Sequence, residues 1–161
     1  MSHDARFGVP NRDQVMDLAG RLKRSDVDEL WAAAAVTPEV AMAKMYDDRA
    51  SMTGVWIDGR LEMLFGVNSR DYPDGMAAVW MVSSPVLLRH AKSLVKLGRK
   101  WLDEVQHHGL LFNFVDARAG TTLRWLARMG FEFQDIQSFG VHGLPFVMVT
   151  RGEQNVFQQA A

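Results

Sequence analysis

The chain has no cysteine among its 161 residues. That excludes disulfides, thiolate zinc sites and a cysteine nucleophile, and it fits a reducing compartment. Long apolar runs are missing too: none approaches the roughly 20 residues that span a bilayer, and the opening MSHDARFGVPNRD lacks the apolar core of a secretory signal. A soluble cytoplasmic protein is the expectation. Charge of one sign is lacking as well, since 18 basic side chains stand against 19 acidic ones for a net charge of −1. This balance removes a global pull toward nucleic acid or anionic membrane and leaves only local patches. The five histidines, His3, His90, His107, His108 and His142, include no pair at helical i, i+4 spacing, so no metal site is expected. Tyrosine is scarce, with Tyr46 and Tyr72 alone. The last absence is local: WMVSSPVLLRHAKSLVKLGRKW reads as a strand entering a basic helix, a junction where α/β proteins seat phosphates, yet no glycine falls between Val82 and Lys96.

What is present fits one domain, because 48% apolar residues build a single sizeable core where two would each be starved. Residues 1–13 read as a flexible lead, with a short first strand in VMDLAGRL. RSDVDELWAAAAV reads as a helix capped by Ser25, with Asp26 and Asp28 at its positive end. Thr37 and Pro38 start a second helix, PEVAMAKMYDDRA. Two apolar runs around Asp58-Gly59 predict a hairpin with a tight turn. AAVWMV reads as a buried strand, followed by a helix with Leu94, Leu97, Trp101, Leu102 and Val105 on its apolar face and Lys92, Lys96, Arg99 and Lys100 outside. LLFNFV is a strand. DARAGTTLRWLARMGFEF is a helix stopped by Gly130 before another strand, and PFVMVT closes the sheet. Residues 151–161 are a polar tail. The order predicts an α/β fold with a mixed, mostly antiparallel sheet flanked by helices.

The segment LRWLARMGF, following a hydrophobic strand, resembles the last motif of the GNAT N-acetyltransferase superfamily. The likeness extends in order over residues 14–150 as a single GNAT-like domain. WMVSS, HAKSLVKLGRKWLDEV, FVDAR and GVHGLPFVMV further resemble the GNAT-like proteins of short-tailed phages, the group including the internal virion protein A family. The superfamily resemblance implies acetyl-CoA at the splay between the fourth and fifth strands, with its pyrophosphate wrapped by a glycine-rich loop. Here the equivalent stretch is SSPVLLRHAKSL: Val86, Leu87 and Leu88 place bulk in the cradle, and Pro85 has no N–H to offer. The family's asparagine position falls on Ala119, and the tyrosine that would protonate the departing thiolate falls on Leu126.

No catalytic residue is therefore assigned, Glu62 on the hairpin being the one candidate base, weighed against an exposed carboxylate beside Arg60. Val82, Ser83, Arg89 and Lys92 are the candidate cofactor-binding residues. Arg89, Lys92, Lys96, Arg99 and Lys100 are otherwise a solvated helix face. The tryptophans, Trp31 included, are expected in the core. The loop FGVHGLPF, with Val156 and Phe157 of the tail, is a candidate docking lip. No cofactor is expected, acetyl-CoA being implied only if the chain is an N-acetyltransferase. These residues point to a catalytically degenerate protein, and the phage resemblance implies that it acts in virion assembly through protein partners, in the host cytoplasm or the virion. The alternatives are an acetyltransferase with a degenerate loop and a host-directed binding protein. No specific nucleic acid and no membrane are expected, and the sequence leaves the oligomeric state open.

Overall fold

The computed structural model describes residues 5–48 and 50–153. Among these, seven strands form one sheet: β1 (Ala5–Gly8), β2 (Thr53–Ile57), β3 (Arg60–Asn68), β4 (Met76–Ser83), β5 (Leu110–Asp116), β6 (Glu132–Phe139) and β7 (Leu144–Arg151). Their spatial order is β1-β2-β3-β4-β5-β7-β6. Every neighbouring pair is antiparallel except β4 and β5. The helices are α1 (Arg12–Ala19), α2 (Arg24–Ala34), α3 (Pro38–Asp47), α4 (Ala91–Val105) and α5 (Gly120–Arg128). A 3-10 turn, Pro85–His90, joins β4 to α4.

Side-chain alternation along the strands divides the interior in two. Val79 and Met81 of β4 join Leu94 and Leu102 of α4 and Trp125 and Met129 of α5 in the larger cluster. Trp80 and Val82 face the other way, toward Val15 and Leu18 of α1 and Met42 of α3. Helices α4 and α5 therefore cover one face, and the N-terminal helices cover the other.

The hairpin forms where its turn chemistry places it. Asp58 and Gly59 both take positive φ, 52° and 84°, as a tight turn between β2 and β3 requires. Thr37 accepts the Val40 N–H at 3.4 Å, and Pro38 opens α3. Three expectations are corrected. The segment expected as a first strand, VMDLAGRL, lies mostly in helix α1: Asn11 and Gln14 form a reciprocal capping box, and Val15, Leu18, Ala19 and Leu22 recur at helical spacing and are buried. The true first strand lies in the expected lead, where Ala5–Gly8 pairs with β2. Helix α2 starts one residue before Ser25, with Lys23 at the cap position and no side-chain cap bond. Trp31 is 54% exposed and stacks near His142 rather than entering the core. Val156 and Phe157 lie outside the described residues.

Candidate functional site

Strands β4 and β5 run parallel but stay paired only from Met76 to Ala78 and from Leu110 to Phe112. Beyond that they part, leaving Val79–Ser83 and Asn113–Asp116 with free facing edges. A parted strand edge exposes N–H and C=O groups that must find partners. In this chain the α2 region supplies three of them, all at Ser83 and Asp116. The Lys23 N–H donates to the Ser83 carbonyl at 2.9 Å. The Asp26 carboxylate accepts the Ser83 N–H at 2.9 Å, and the Glu29 carboxylate accepts the Asp116 N–H at 2.7 Å.

Between these contacts the Lys23 ammonium pairs with Asp26, both side chains being buried. It comes within 5.7 Å of the ring centroid of Trp125, on the opposite side of the sheet. The lysine thus bridges the opening itself, and its charge is met by a carboxylate on one side and an aromatic face on the other. Burial pushes the Asp26 carboxyl up despite the Lys23 charge. Glu29 is pushed up to about 7, chiefly by burial, with the nearby Asp26 charge adding to the effect. Asp116 is also desolvated, but hydrogen bonds and charge from Arg118 hold it below the ordinary carboxylate range.

The end of β4 completes the picture. From Ser83 onward, each backbone N–H has a partner. Ser83 gives its N–H to Asp26, and Ser84 gives its own to the Glu62 carbonyl at 2.8 Å. Pro85 has none. Val86 donates to the Ser84 hydroxyl oxygen at 3.2 Å, and Leu87 donates to the Ser84 carbonyl at 3.3 Å. Leu88 to His90 fall inside the 3-10 turn, whose i to i+3 bonding consumes amides internally. The main-chain nitrogens of residues 83–87 are therefore committed within the chain, Pro85 having no N–H to give.

A cleft of about 840 Å³ lies against the splay. It runs between α4 and the facing side of β1–β4, from Phe7 and Leu97 at the rim to Asp26, Glu29, Asn113 and Thr122. The Thr122 and Ser83 hydroxyls are buried without a hydrogen-bond partner.

Of the sequence-predicted residues, Ser83 is at the centre of the splay and Val82 faces the N-terminal helices. Arg89 and Lys92 are exposed and stand outside the opening. Leu126 lines the cleft, and Ala119 is buried at the start of α5. Glu62 corrects its bland reading. It is only 5% exposed, accepts from Arg21 at 2.8 Å and from the Ser84 hydroxyl, and does not pair with Arg60, which binds Asp17 at 3.1 Å. Held by a guanidinium and a hydroxyl, it does not point into the cleft as a base would. The expected docking lip is bound to α2, with the Val141 N–H donating to Ala33 at 3.1 Å. The sequence reading missed Lys23, Asp26 and Glu29. The available signal was the i, i+3 spacing of two acids inside a helix whose other inward residues are apolar.

No protein-family model matches the chain, and no curated protein matches it by sequence. Solved structures do match. Ard1 from Thermoplasma volcanium superposes with a TM-score of 0.69 at 9% identity, covering 92% of this chain and 97% of that one. Aminoglycoside acetyltransferase AAC(6')-Ib, in complex with coenzyme A and kanamycin, gives 0.63 at 13% identity, covering 98% and 100%. The yncA protein of Salmonella typhimurium, a proposed acetyltransferase solved with acetyl-CoA, gives 0.60 at 10% identity, covering 92% and 93%. The chain has the GNAT N-acetyltransferase fold. At such identities the likeness establishes architecture, and the GNAT splay of this chain must be judged on its own side chains. At the end of β4 the main-chain N–H groups of Ser83, Ser84, Val86 and Leu87 are engaged within the chain, and Lys23, Asp26 and Glu29 of the α2 region stand at the ends of the parted strands.

Proposed function

We propose that this GNAT-fold protein is catalytically degenerate and acts through protein contacts. The observation that carries the reading is the occupation of both parted strand edges by α2, through Lys23 and Asp26 on Ser83 and through Glu29 on Asp116. Removing Lys23 and Asp26 from the opening would leave the buried C=O and N–H of Ser83 unpaired, a cost of about 1–3 kcal/mol for each. A cofactor arm would have to supply that energy before gaining any affinity. The setting in virion assembly is supported by the sequence resemblance to phage GNAT-like proteins alone, and host-directed binding is its alternative.

A second reading, an acetyl-CoA-dependent N-acetyltransferase, is favoured by two observations. The structural neighbours are acetyltransferases, several of them solved with acetyl-CoA or coenzyme A, and the 840 Å³ cleft here reaches the splay. In that reading Ser83 and Thr122, with unpartnered hydroxyls, are the residues of this chain available to a ligand.

Calorimetric titration with acetyl-CoA and coenzyme A, paired with an amine-acetylation assay, separates the two. No heat and no turnover is the expected outcome, whereas micromolar binding coupled to acetylation would establish the enzyme. Particles assembled without the chain should then be defective in infection, and normal particles would move the protein-contact reading from the virion to the host.

A further inference from the structure

The outer faces of α4 and α5 carry cations that no ion pair among the described residues neutralises. Lys92, Lys96, Arg99 and Lys100 project from α4, and Arg124 and Arg128 project from α5; all six are exposed. Among the described residues none of them stands in an ion pair. Of the acidic residues of α4, Asp103 is taken by Arg151 at 2.7 Å, which leaves Glu104. The basic residues on the opposite side of the sheet behave differently. Arg12, Arg21, Lys23, Arg24 and Lys44 each meet a carboxylate. The near-zero net charge therefore hides a polarised molecule.

The two helices are held so that their cations form one surface. Gly98 lets α4 approach Met129, the residue after α5, and Arg99 donates to the Arg128 carbonyl at 2.9 Å. On α4, Lys92, Lys96 and Arg99 follow i, i+4, i+7 spacing, a stripe of about 10 Å on one side of the helix. Arg124 and Arg128, one turn apart, add a second row beside it.

We propose that this α4–α5 face binds the phosphate backbone of double-stranded nucleic acid without reading its sequence. A duplex offers one negative charge per about 1.7 Å of axis, dense enough to engage both rows at once. The composition of the patch favours this partner over an acidic protein. Protein interfaces are depleted in lysine and anchored by buried aromatic or aliphatic side chains. Here Trp101 and Trp125 turn inward, and the exposed Leu97 lines the cleft at the edge of the patch. Recognition by charge and N–H donors alone suits phosphates. The proposal does not depend on whether the splay admits a cofactor, and it concerns backbone binding, not specific base contacts.

The test is fluorescence anisotropy of a labelled random-sequence DNA duplex titrated with the full chain at several salt concentrations. The expected result is low-salt binding that weakens with a log–log salt slope of about −4 to −5, from four to six phosphates engaged. The variant Lys92→Glu/Lys96→Glu/Arg124→Glu leaves the buried faces intact and should lose at least about tenfold in affinity and roughly half the slope. The Gln version of the same triple variant, with unchanged circular dichroism, should fall between. Absence of binding at low salt, or a Glu variant that binds like the parent, overturns the proposal. Equal affinity for poly-glutamate at matched charge would assign the face to an acidic protein partner instead and equally overturn it.

Discussion

Glu29 has one carboxylate oxygen committed to the Asp116 N–H and an environment that resists its ionisation. Its carboxyl, ordinarily near 4.5, is raised to about 7 by burial. The folded state thus holds a proton that the unfolded chain has already released, so the benefit is complete below the unfolded value and is lost as pH rises toward 7. At 1.36 kcal/mol per unit, the loss between pH 4.5 and 7 is on the order of 2 to 3 kcal/mol. Glu29→Gln keeps an oxygen to accept from Asp116 and cannot ionise. Chemical denaturation across this window should show the parent losing stability with rising pH and the variant losing less, the difference curve tracing Glu29. Parallel curves would mean that the carboxylate is already ionised and solvated. Asp26 shifts in the same direction, chiefly through burial, and because its charge also raises Glu29 the difference curve carries the coupling between the two carboxyls as well.

At the scale of elements, local chemistry made much of the fold legible and long-range pairing made the rest invisible. Asp58-Gly59, Thr37-Pro38 and Gly130 act within a few residues, and each forms the turn, cap or stop it predicts. In residues 15–22 the spacing of Val15, Leu18 and Leu22 is helical, which a search for short apolar runs overlooks, and the Asn11–Gln14 capping box that starts the helix lies upstream of them. Ala5–Gly8 has no strand signal of its own, being held by pairing with β2. The role of α2 was least legible, because Asp26 reads as a favourable charge at a helix start until β4 and β5 are seen to part beside it. The Ser83 end of the site was legible and the Glu29 end was not. A close approach that composition cannot reveal occurs at Gly66 in β3, where an added Cβ would lie 2.0 Å from the Ser51 carbonyl oxygen and 2.7 Å from the Trp80 ring. Backbone cannot yield as a flexible side chain would. Gly66→Ala should therefore cost about 2 kcal/mol or more, lowering the melting temperature by about 5 °C. A melting temperature within about 1 °C of the parent would show that β3 shifts freely.

At the scale of the whole molecule, the architecture is that of the GNAT fold, and the proposal of a degenerate site rests on how its parted strands are partnered. The sheet runs β1-β2-β3-β4-β5-β7-β6 with one parallel pair parted toward its end, and the chain superposes on structural neighbours over more than nine-tenths of its length. The ends of the parted edges here meet the Lys23 N–H and the Asp26 and Glu29 carboxylates, which join the N-terminal helices to the sheet. Backbone amide NMR reads that joint directly. With millimolar acetyl-CoA present, the Ser83 and Asp116 amides should keep their shifts and their protection from hydrogen exchange, because Asp26 and Glu29 remain bonded to them. Saturable shifts at both amides at micromolar acetyl-CoA, with loss of the α2 contacts, would contradict the account.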